Sequence, residues 1–417
     1  MEKTMVRQID LVPDHVPQEL VHPYDFIGDP RNRTDLWDFV QSAFDYPDIF
    51  YSTALGGFWV VTRHDLISEV FSRSDLFSSQ SATIPAMENV PDLIPPGIDP
   101  PDHGKYRKIL AQSMFSPGSL AELEADARRT AVQLRSSFAD AGECEFMSAF
   151  ARQLPIVVFL RMMGMPTDRR DEFMHWVYSF FQGESQEEMT NARRDLHNYL
   201  NEWLDELEAG AAPTDSGHNF RAVLNAEVDG RRLTRAEQAS IAETMFFAGL
   251  DTVTSLMGHV MHFLAGHPSH QAALVENPSM IPRAIEEFVR RFGVANLGRR
   301  VKSDIVFHGV KFKAQDRVMV STQIAGLDAQ KWQDPTMVDF GRNTRGHLAF
   351  GGGPHVCIGN GLARVEMRVL FQEVLPWMPG FSLKPGTTVK TFPGMVVGVQ
   401  ELPLVWRPLS NSDTAHG

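Results

Sequence analysis

The sequence predicts a mainly α-helical protein with small β-sheets, folded as a single domain, and three observations carry that prediction. Apolar residues recur at three- and four-residue spacing over 117–139, 146–164, 167–182, 187–210, 233–266, 281–292 and 361–375, the period of helices with a buried face. Strand patterns are few: Phe58 to Thr62, Ile305 to Lys313, Arg317 to Ser321 and Met395 to Trp406. Pro and Gly clusters punctuate these segments without any internal repeat or long low-complexity linker, although 417 residues exceed the length at which one core often divides. One domain is therefore expected over 1–409, with a small polar tail, 410–417, expected to be disordered.

Composition narrows the function classes. With 43% hydrophobic residues the chain can bury a large core, and a formal net charge of −13 leaves no phosphate-neutralising excess for a general nucleic-acid binder. Met1 to Leu11 carries Glu2, Lys3, Arg7 and Asp10 around no apolar core, so neither a signal peptide nor a membrane anchor is expected, and the protein is placed in the cytoplasm. Only Cys144 and Cys357 occur, in no Cys-x-x-Cys arrangement, which excludes a disulfide framework and a redox dithiol.

The longest helical segment opens with Thr234-Arg235-Ala236-Glu237, a capping-box pattern in which threonine and glutamate satisfy exposed amide donors reciprocally. It runs on through Thr244-Met245-Phe246-Phe247-Ala248-Gly249-Leu250-Asp251-Thr252, apolar nearly all round, so it belongs in the middle of the molecule. Two irregularities stand in it. Gly249 costs about 1 kcal/mol relative to alanine, and a buried, unpaired Asp251 is expensive.

After the midpoint comes Phe350-Gly351-Gly352-Gly353-Pro354-His355-Val356-Cys357-Ile358-Gly359, which leads into a helix. A cysteine in the turn before a helix meets amide donors and the positive end of the helix dipole, both of which favour thiolate over thiol. The glycines let the loop approach a large flat group closely, with Phe350 packed on its sulfur side. A small packed core cysteine and a phosphate-binding turn fit the same spacing. Cys144 has no such surroundings and reads as packing. His259, His262, His267 and His270 evoke a zinc or non-haem iron site, but no carboxylate at suitable spacing completes one, and polar punctuation near a helix end accounts for them.

Phe350, Gly353, His355, Cys357 and Gly359, spaced as Phe-x-x-Gly-x-His-x-Cys-x-Gly, resemble the haem-binding motif of the cytochrome P450 family. Glu287-Phe288-Val289-Arg290 resembles that family's Glu-x-x-Arg, and Ala248 to Thr252 resembles its oxygen-binding helix motif, in the same order along the chain. The resemblance extends from about Pro23 to Pro408 and points to the soluble bacterial camphor-hydroxylase branch, as in Gly394-Met395-Val396-Val397-Gly398-Val399-Gln400-Glu401-Leu402-Pro403-Leu404-Val405-Trp406.

The resemblance implies a single-domain P450 fold holding haem b, with Cys357 as the iron ligand. It implies that Asp251 and Thr252 form the acid–alcohol pair that delivers protons to dioxygen, and that Ala248 and Gly249 leave room for that oxygen. Arg107 and His103 of His103-Gly104-Lys105-Tyr106-Arg107, with Arg299 and His355, are placed at the haem propionates, which arginine binds in a bidentate way. Arg300 competes with Arg299, since one residue of misalignment exchanges them. Glu287 and Arg290 become a buried pair bracing the segment before the cysteine loop.

Lys105, Lys108, Arg342, Arg345 and Arg364 flank the cysteine side and would attract an acidic electron donor. The resemblance implies a two-iron ferredoxin served by a separate flavin-dependent reductase. In the camphor-hydroxylase branch a tyrosine precedes an Asp-aromatic-Ile-Pro run; here Pro91 stands there before Asp92-Leu93-Ile94-Pro95, and Thr83 replaces an earlier aromatic. Phe247, Ala295, Leu297, Met395 and Val396 match other pocket positions and are apolar, with Thr244 the polar exception. A pocket so lined selects by shape, which favours an ionone-type norisoprenoid or a monoterpenoid over camphor. A non-catalytic haem-thiolate sensor is the alternative, although a sensor needs neither a proton relay nor a docking face. A peroxide-using hydroxylase usually lacks the acid–alcohol pair retained here.

Overall fold

The computed structural model describes residues 12–86, 91–182, 186–210 and 219–409; the expectations for Met1 to Leu11 and for the tail from Ser410 fall outside them. Helices Pro117–Arg135, Gln153–Met163, Arg170–Gln182, Gln186–Glu208, Arg235–Ala265, Ile281–Arg291 and Asn360–Val369 occupy the seven segments expected from periodicity. The long helix Arg235–Ala265 begins at the capping box: Glu237 donates its amide to Thr234 Oγ1 at 3.3 Å, and the Glu237 carboxylate accepts from the Thr234 amide at 2.7 Å. Ser116 caps the helix that starts at Pro117, where proline gives up no needed donor.

Six further helices among the described residues escaped the periodicity, three of them only six residues long: Leu36–Gln41, Asn219–Leu224 and Thr322–Leu327. Asp102–Ser113 buries His103, Tyr106 and Leu110, a core-facing stripe made largely of polar rings that a count of apolar residues misses. Pro268–Glu276 buries only Gln271 and Leu274, and His64–Ser72 is a short helix directly after a strand.

A five-stranded sheet runs in the order Ile49–Ser52, Phe58–Val61, Arg317–Ser321, Asn296–Val301, Phe77–Ser78. Its fourth strand reads as polar in sequence, through Gly298, Arg299 and Arg300. Gly298 is there because the chain crosses at contact distance: a Cβ would stand 1.6 Å from the Ala82 carbonyl oxygen. The run from Ile305 to Lys313 is two strands, Ile305–Phe307 and Val310–Phe312, joined through His308 and Gly309 at φ of 46° and 84°. A two-residue turn preserves the alternation, so it left no trace in the pattern. The run from Met395 to Trp406 likewise divides, into Gly398–Val399 and Pro403–Val405.

Two apolar cores result, a large one around the long helix and a second under the sheet. On Ile281–Arg291 stands an ion pair with no exposure on either side chain: Arg290 donates twice to Glu287, at 2.8 Å each. Every remaining valence is used. Arg290 also donates to the Gly326 and Pro335 carbonyls, while Glu287 accepts from the Asp339 amide and from Arg342 Nε. The pair thus ties Ile281–Arg291 to the segment that runs into the cysteine loop. Among the described residues no helix is long and apolar enough to cross a membrane.

Removing one partner of such a pair strands the other charge in the dry core. Glu287→Ala is expected to lower unfolding free energy by about 3–5 kcal/mol, measured by chemical denaturation of the purified protein. A midpoint equal to that of the wild type would show that the pair bears no load.

Candidate active site

The cysteine loop is shaped by contacts that demand glycine. Gly353 has φ of +61°, and a Cβ there would meet the Phe71 carbonyl oxygen at 2.4 Å. The loop closes on itself through the Cys357 amide, which donates to the Phe350 carbonyl at 2.7 Å, and the helix Asn360–Val369 starts three residues after the sulfur. Cys357 is accessible, yet burial pushes its thiol pKa up. Both hold for a side chain on the wall of an internal hollow. The amides of Gly359 and Asn360 and the charges of Arg107 and Arg364 oppose that rise but do not overcome it. The turn amides act in the direction expected from sequence, lowering the thiol pKa, while burial opposes them.

The long helix presents the opposite wall. From Ile241 to Met261 every residue is buried except Ala248, Gly249 and Thr252, which share one face. Small residues on a single accessible face leave space for a guest. The Thr252 hydroxyl donates back to the Ala248 carbonyl at 3.1 Å, and its lone pairs stay free to accept. Asp251 is wholly buried, neither carboxylate oxygen has a hydrogen-bond partner, and burial raises its pKa to about 7 against the pull of Arg152.

Cations gather at the rim. The rings of His103 and His355 are 4.0 Å apart, and Arg107 donates to the Val356 carbonyl beside the sulfur. Burial lowers Arg299 to about 10, and burial together with Arg299 and His103 lowers His355 to about 3. One acidic group, Asp99, moderates the cluster while accepting from Ser78, Ser79 and Lys302. Strand register separates the two candidate arginines. Arg299 stands opposite Val318 and Arg300 opposite Arg317, so their side chains leave opposite faces of the sheet, and it is Arg299 that acts on His103 and His355.

Other expected residues fall out differently. Arg342 is only 12% exposed and is consumed by Glu287 and by the Gln333 carbonyl; it belongs to the buried pair, not to a docking face. Arg364 is paired with Glu286, and Lys105 with Asp102 and Asp229. Lys108 and Arg345 are exposed, with no side-chain ion pair among the described residues. Around the presumptive pocket, Phe247 stacks on Phe180 at 4.2 Å and Ala295 bridges Val396, while Leu297 and Met395 are half-buried. The Thr244 hydroxyl faces the carbonyls of Ile94 and Ser240, the Thr83 carbonyl accepts from Arg317, and exposed Pro91 accepts from Arg193. His259, His267 and His270 each face a backbone carbonyl, those of Val397, Phe263 and Val338. Sequence patterns missed Ser79, Asp99, Arg152 and Tyr178, none of which lies in a motif.

A cysteine set in a glycine-shaped loop and a cluster of arginine and histidine at the rim both fit one guest, iron protoporphyrin with its two propionates. That makes haem-thiolate chemistry the class of this site. The cytochrome P450 family model matches residues 156–405. A probable cytochrome P450 127A1 of Sinorhizobium fredii is 32% identical over 406 residues, covering 95% of this chain and 97% of that protein. Vitamin D(3) 25-hydroxylase of Pseudonocardia autotrophica is 29% identical over 367 residues, 85% of this chain and 89% of that one. Of solved structures, CYP101J2 matches with a TM-score of 0.85 at 29% identity over 96% of this chain and 100% of its own, and CYP101C1 with 0.84 at 29% over 95% and 100%. The chain belongs to the cytochrome P450 family; it is a P450 monooxygenase, with haem b as cofactor.

Cys357→Ser is expected to abolish the thiolate-type absorption band of the reduced carbon-monoxide complex, and Cys144→Ser to preserve it. Retention of that band in Cys357→Ser would remove this sulfur from the iron.

Proposed function

We propose that this monooxygenase hydroxylates a small apolar terpenoid, an ionone-type norisoprenoid or a monoterpenoid, in the cytoplasm, with electrons from a two-iron ferredoxin served by a flavin-dependent reductase. The observation that carries the substrate class is the Thr244 hydroxyl. Its single proton is committed to the Ile94 or Ser240 carbonyl, so the polar exception among the pocket positions on the long helix offers a substrate no donor. Phe247, Ala295, Leu297, Met395 and Val396 supply apolar surface, and selection falls to shape. Two cysteines without a disulfide agree with a reducing compartment.

Haem held at Cys357 would supply the dioxygen activation. The chain's own residues do the rest. Arg107, Arg299, His103 and His355 hold the propionates, and Phe350, Gly353 and Gly359 shape the sulfur side. Ala248 and Gly249 keep space open, while Asp251 and Thr252 move protons inward from a carboxyl oxygen to a hydroxyl. On the cysteine side a concavity of about 770 Å³ is lined by Arg283, Arg345, His347, Val356 and Arg364, which supports docking of an acidic donor there. Lys108 is a further exposed cation without an ion pair among the described residues.

Two measurements test the reading. Haem spin-state titration should show weak camphor binding and tighter binding of an ionone; tight camphor binding without response to larger terpenoids would defeat the substrate assignment. Thr252→Ala should go on consuming reducing equivalents while diverting oxygen to hydrogen peroxide or water, and unchanged coupling between electron use and product would take Thr252 out of proton delivery.

A further inference from the structure

Between Pro91 and Pro96 the chain lies against the long helix with few means of bonding to itself. Pro91, Pro95 and Pro96 carry no amide hydrogen, and Leu93 and Ile94 are half-buried against the large core. The long helix supplies what the segment lacks. The Ile94 amide donates to Ser240 Oγ at 3.0 Å. The Thr244 hydroxyl stands 2.8 Å from the Ile94 carbonyl and 2.9 Å from that of Ser240. One residue thus meets, on both of its backbone groups, side chains a single helical turn apart.

A second tie reaches the same segment from Gln186–Glu208. Arg193 donates to the Glu243 carboxylate at 3.0 and 3.2 Å and to the Pro91 carbonyl at 3.4 Å. Glu243 is only 4% exposed and also binds His197. Asp92 is fixed in turn by the Ser81 amide, which donates to it at 2.8 Å. Three parts of the molecule therefore converge on one short stretch of chain. Its place matters as well. Ser240, Thr244 and Ala248 follow one another at four-residue spacing, each about 6 Å further along one side of the helix. The Ile94 contact therefore lies one turn from the accessible patch of Ala248, Gly249 and Thr252.

We propose that Ser240 and Thr244 are positioning residues for substrate selectivity: by seating Ile94 on the long helix they fix Leu93 and Ile94 as a rigid apolar wall of the hollow. The proposal rests on the reading that the long helix faces substrate at Thr244 and Phe247. Side chains on an unsupported extended segment yield to any ligand that presses on them, and selection by shape needs a wall that does not. A wall set in advance also spares the ligand the entropy of ordering it. The two hydroxyls supply stiffness, the two apolar side chains supply contact, and neither hydroxyl has to touch the substrate.

Nitrogen ligands of ferric haem test this in the holoenzyme without knowledge of the substrate. Imidazole occupies the iron alone, whereas 4-phenylimidazole adds an apolar ring that must fit within the hollow. Thr244→Val and Ser240→Ala should each raise the dissociation constant of 4-phenylimidazole roughly three- to tenfold, the range of one lost hydrogen bond, and leave that of imidazole unchanged. Thr244→Ser retains the hydroxyl and should keep the wild-type affinity. Amide hydrogen exchange in the peptide containing Ile94 should quicken in the first two variants. If Thr244→Val does not hold haem, Ser240→Ala, which deletes one oxygen atom from a half-buried side chain, carries the test. A dissociation constant for 4-phenylimidazole at or below the wild-type value in every variant that binds imidazole normally overturns the proposal, and so does an equal loss for both azoles. If the azole result holds while camphor binds tightly and ionones do not, the substrate assignment falls and the wall stands, so the two failures are distinguishable.

Discussion

A guanidinium and a carboxylate sealed from water, those of Arg290 and Glu287, decide where the cysteine loop can be. The pair is saturated: each remaining donor and acceptor is spent on backbone from 326 to 342 or on Arg342. Stability gained from such a pair is small once desolvation is counted. Its use is positional, because a fully bonded polar network in a core tolerates few alternative arrangements. The neighbouring Glu286 extends the same helix to the far side of the loop by binding Arg364 and His347. One short helix, Ile281–Arg291, thereby fixes the approach to the sulfur and the helix that leaves it.

The two walls of the hollow follow opposite electrostatic policies. On the sulfur side, amides and arginines surround an atom whose ionised form burial disfavours, and the rim concentrates cations around a single acid. On the long helix, one carboxylate stands in an apolar stretch with a lone guanidinium within influence. Each wall, by itself, holds a group whose charged form burial disfavours.

Much of this was legible in the chain. The seven periodic segments fold as helices because their buried faces are conventional hydrophobes, and the capping box at Thr234 forms with both halves in place. What was hidden has physical reasons. Asp102–Ser113 buries histidine and tyrosine beside a single leucine, and the strand Asn296–Val301 carries arginines because one of its faces meets the cationic rim. The candidate site residues in contiguous motifs, such as Cys357 and Thr252, could be named through resemblance to a family's motifs. Arg152 and Tyr178 could not, since their approach to one another depends on the packing of separate helices. Arg342 shows the reverse error: a basic residue beside a motif looks like surface until its hydrogen bonds are traced inward.

The diversion of Arg342, Arg364 and Lys105 into ion pairs bears on how an electron donor finds this molecule. Of the five cations expected from sequence, Lys108 and Arg345 stay unneutralised among the described residues, and the concavity adds exposed Arg283, within a protein whose net charge is −13. Long-range attraction toward an acidic partner is correspondingly faint, and at physiological ionic strength it fades within roughly 8 Å. Encounter is then governed by diffusion and by the fit of a protruding surface into the concavity, so added salt should slow association only slightly. Discrimination among donors becomes a matter of contour more than of charge.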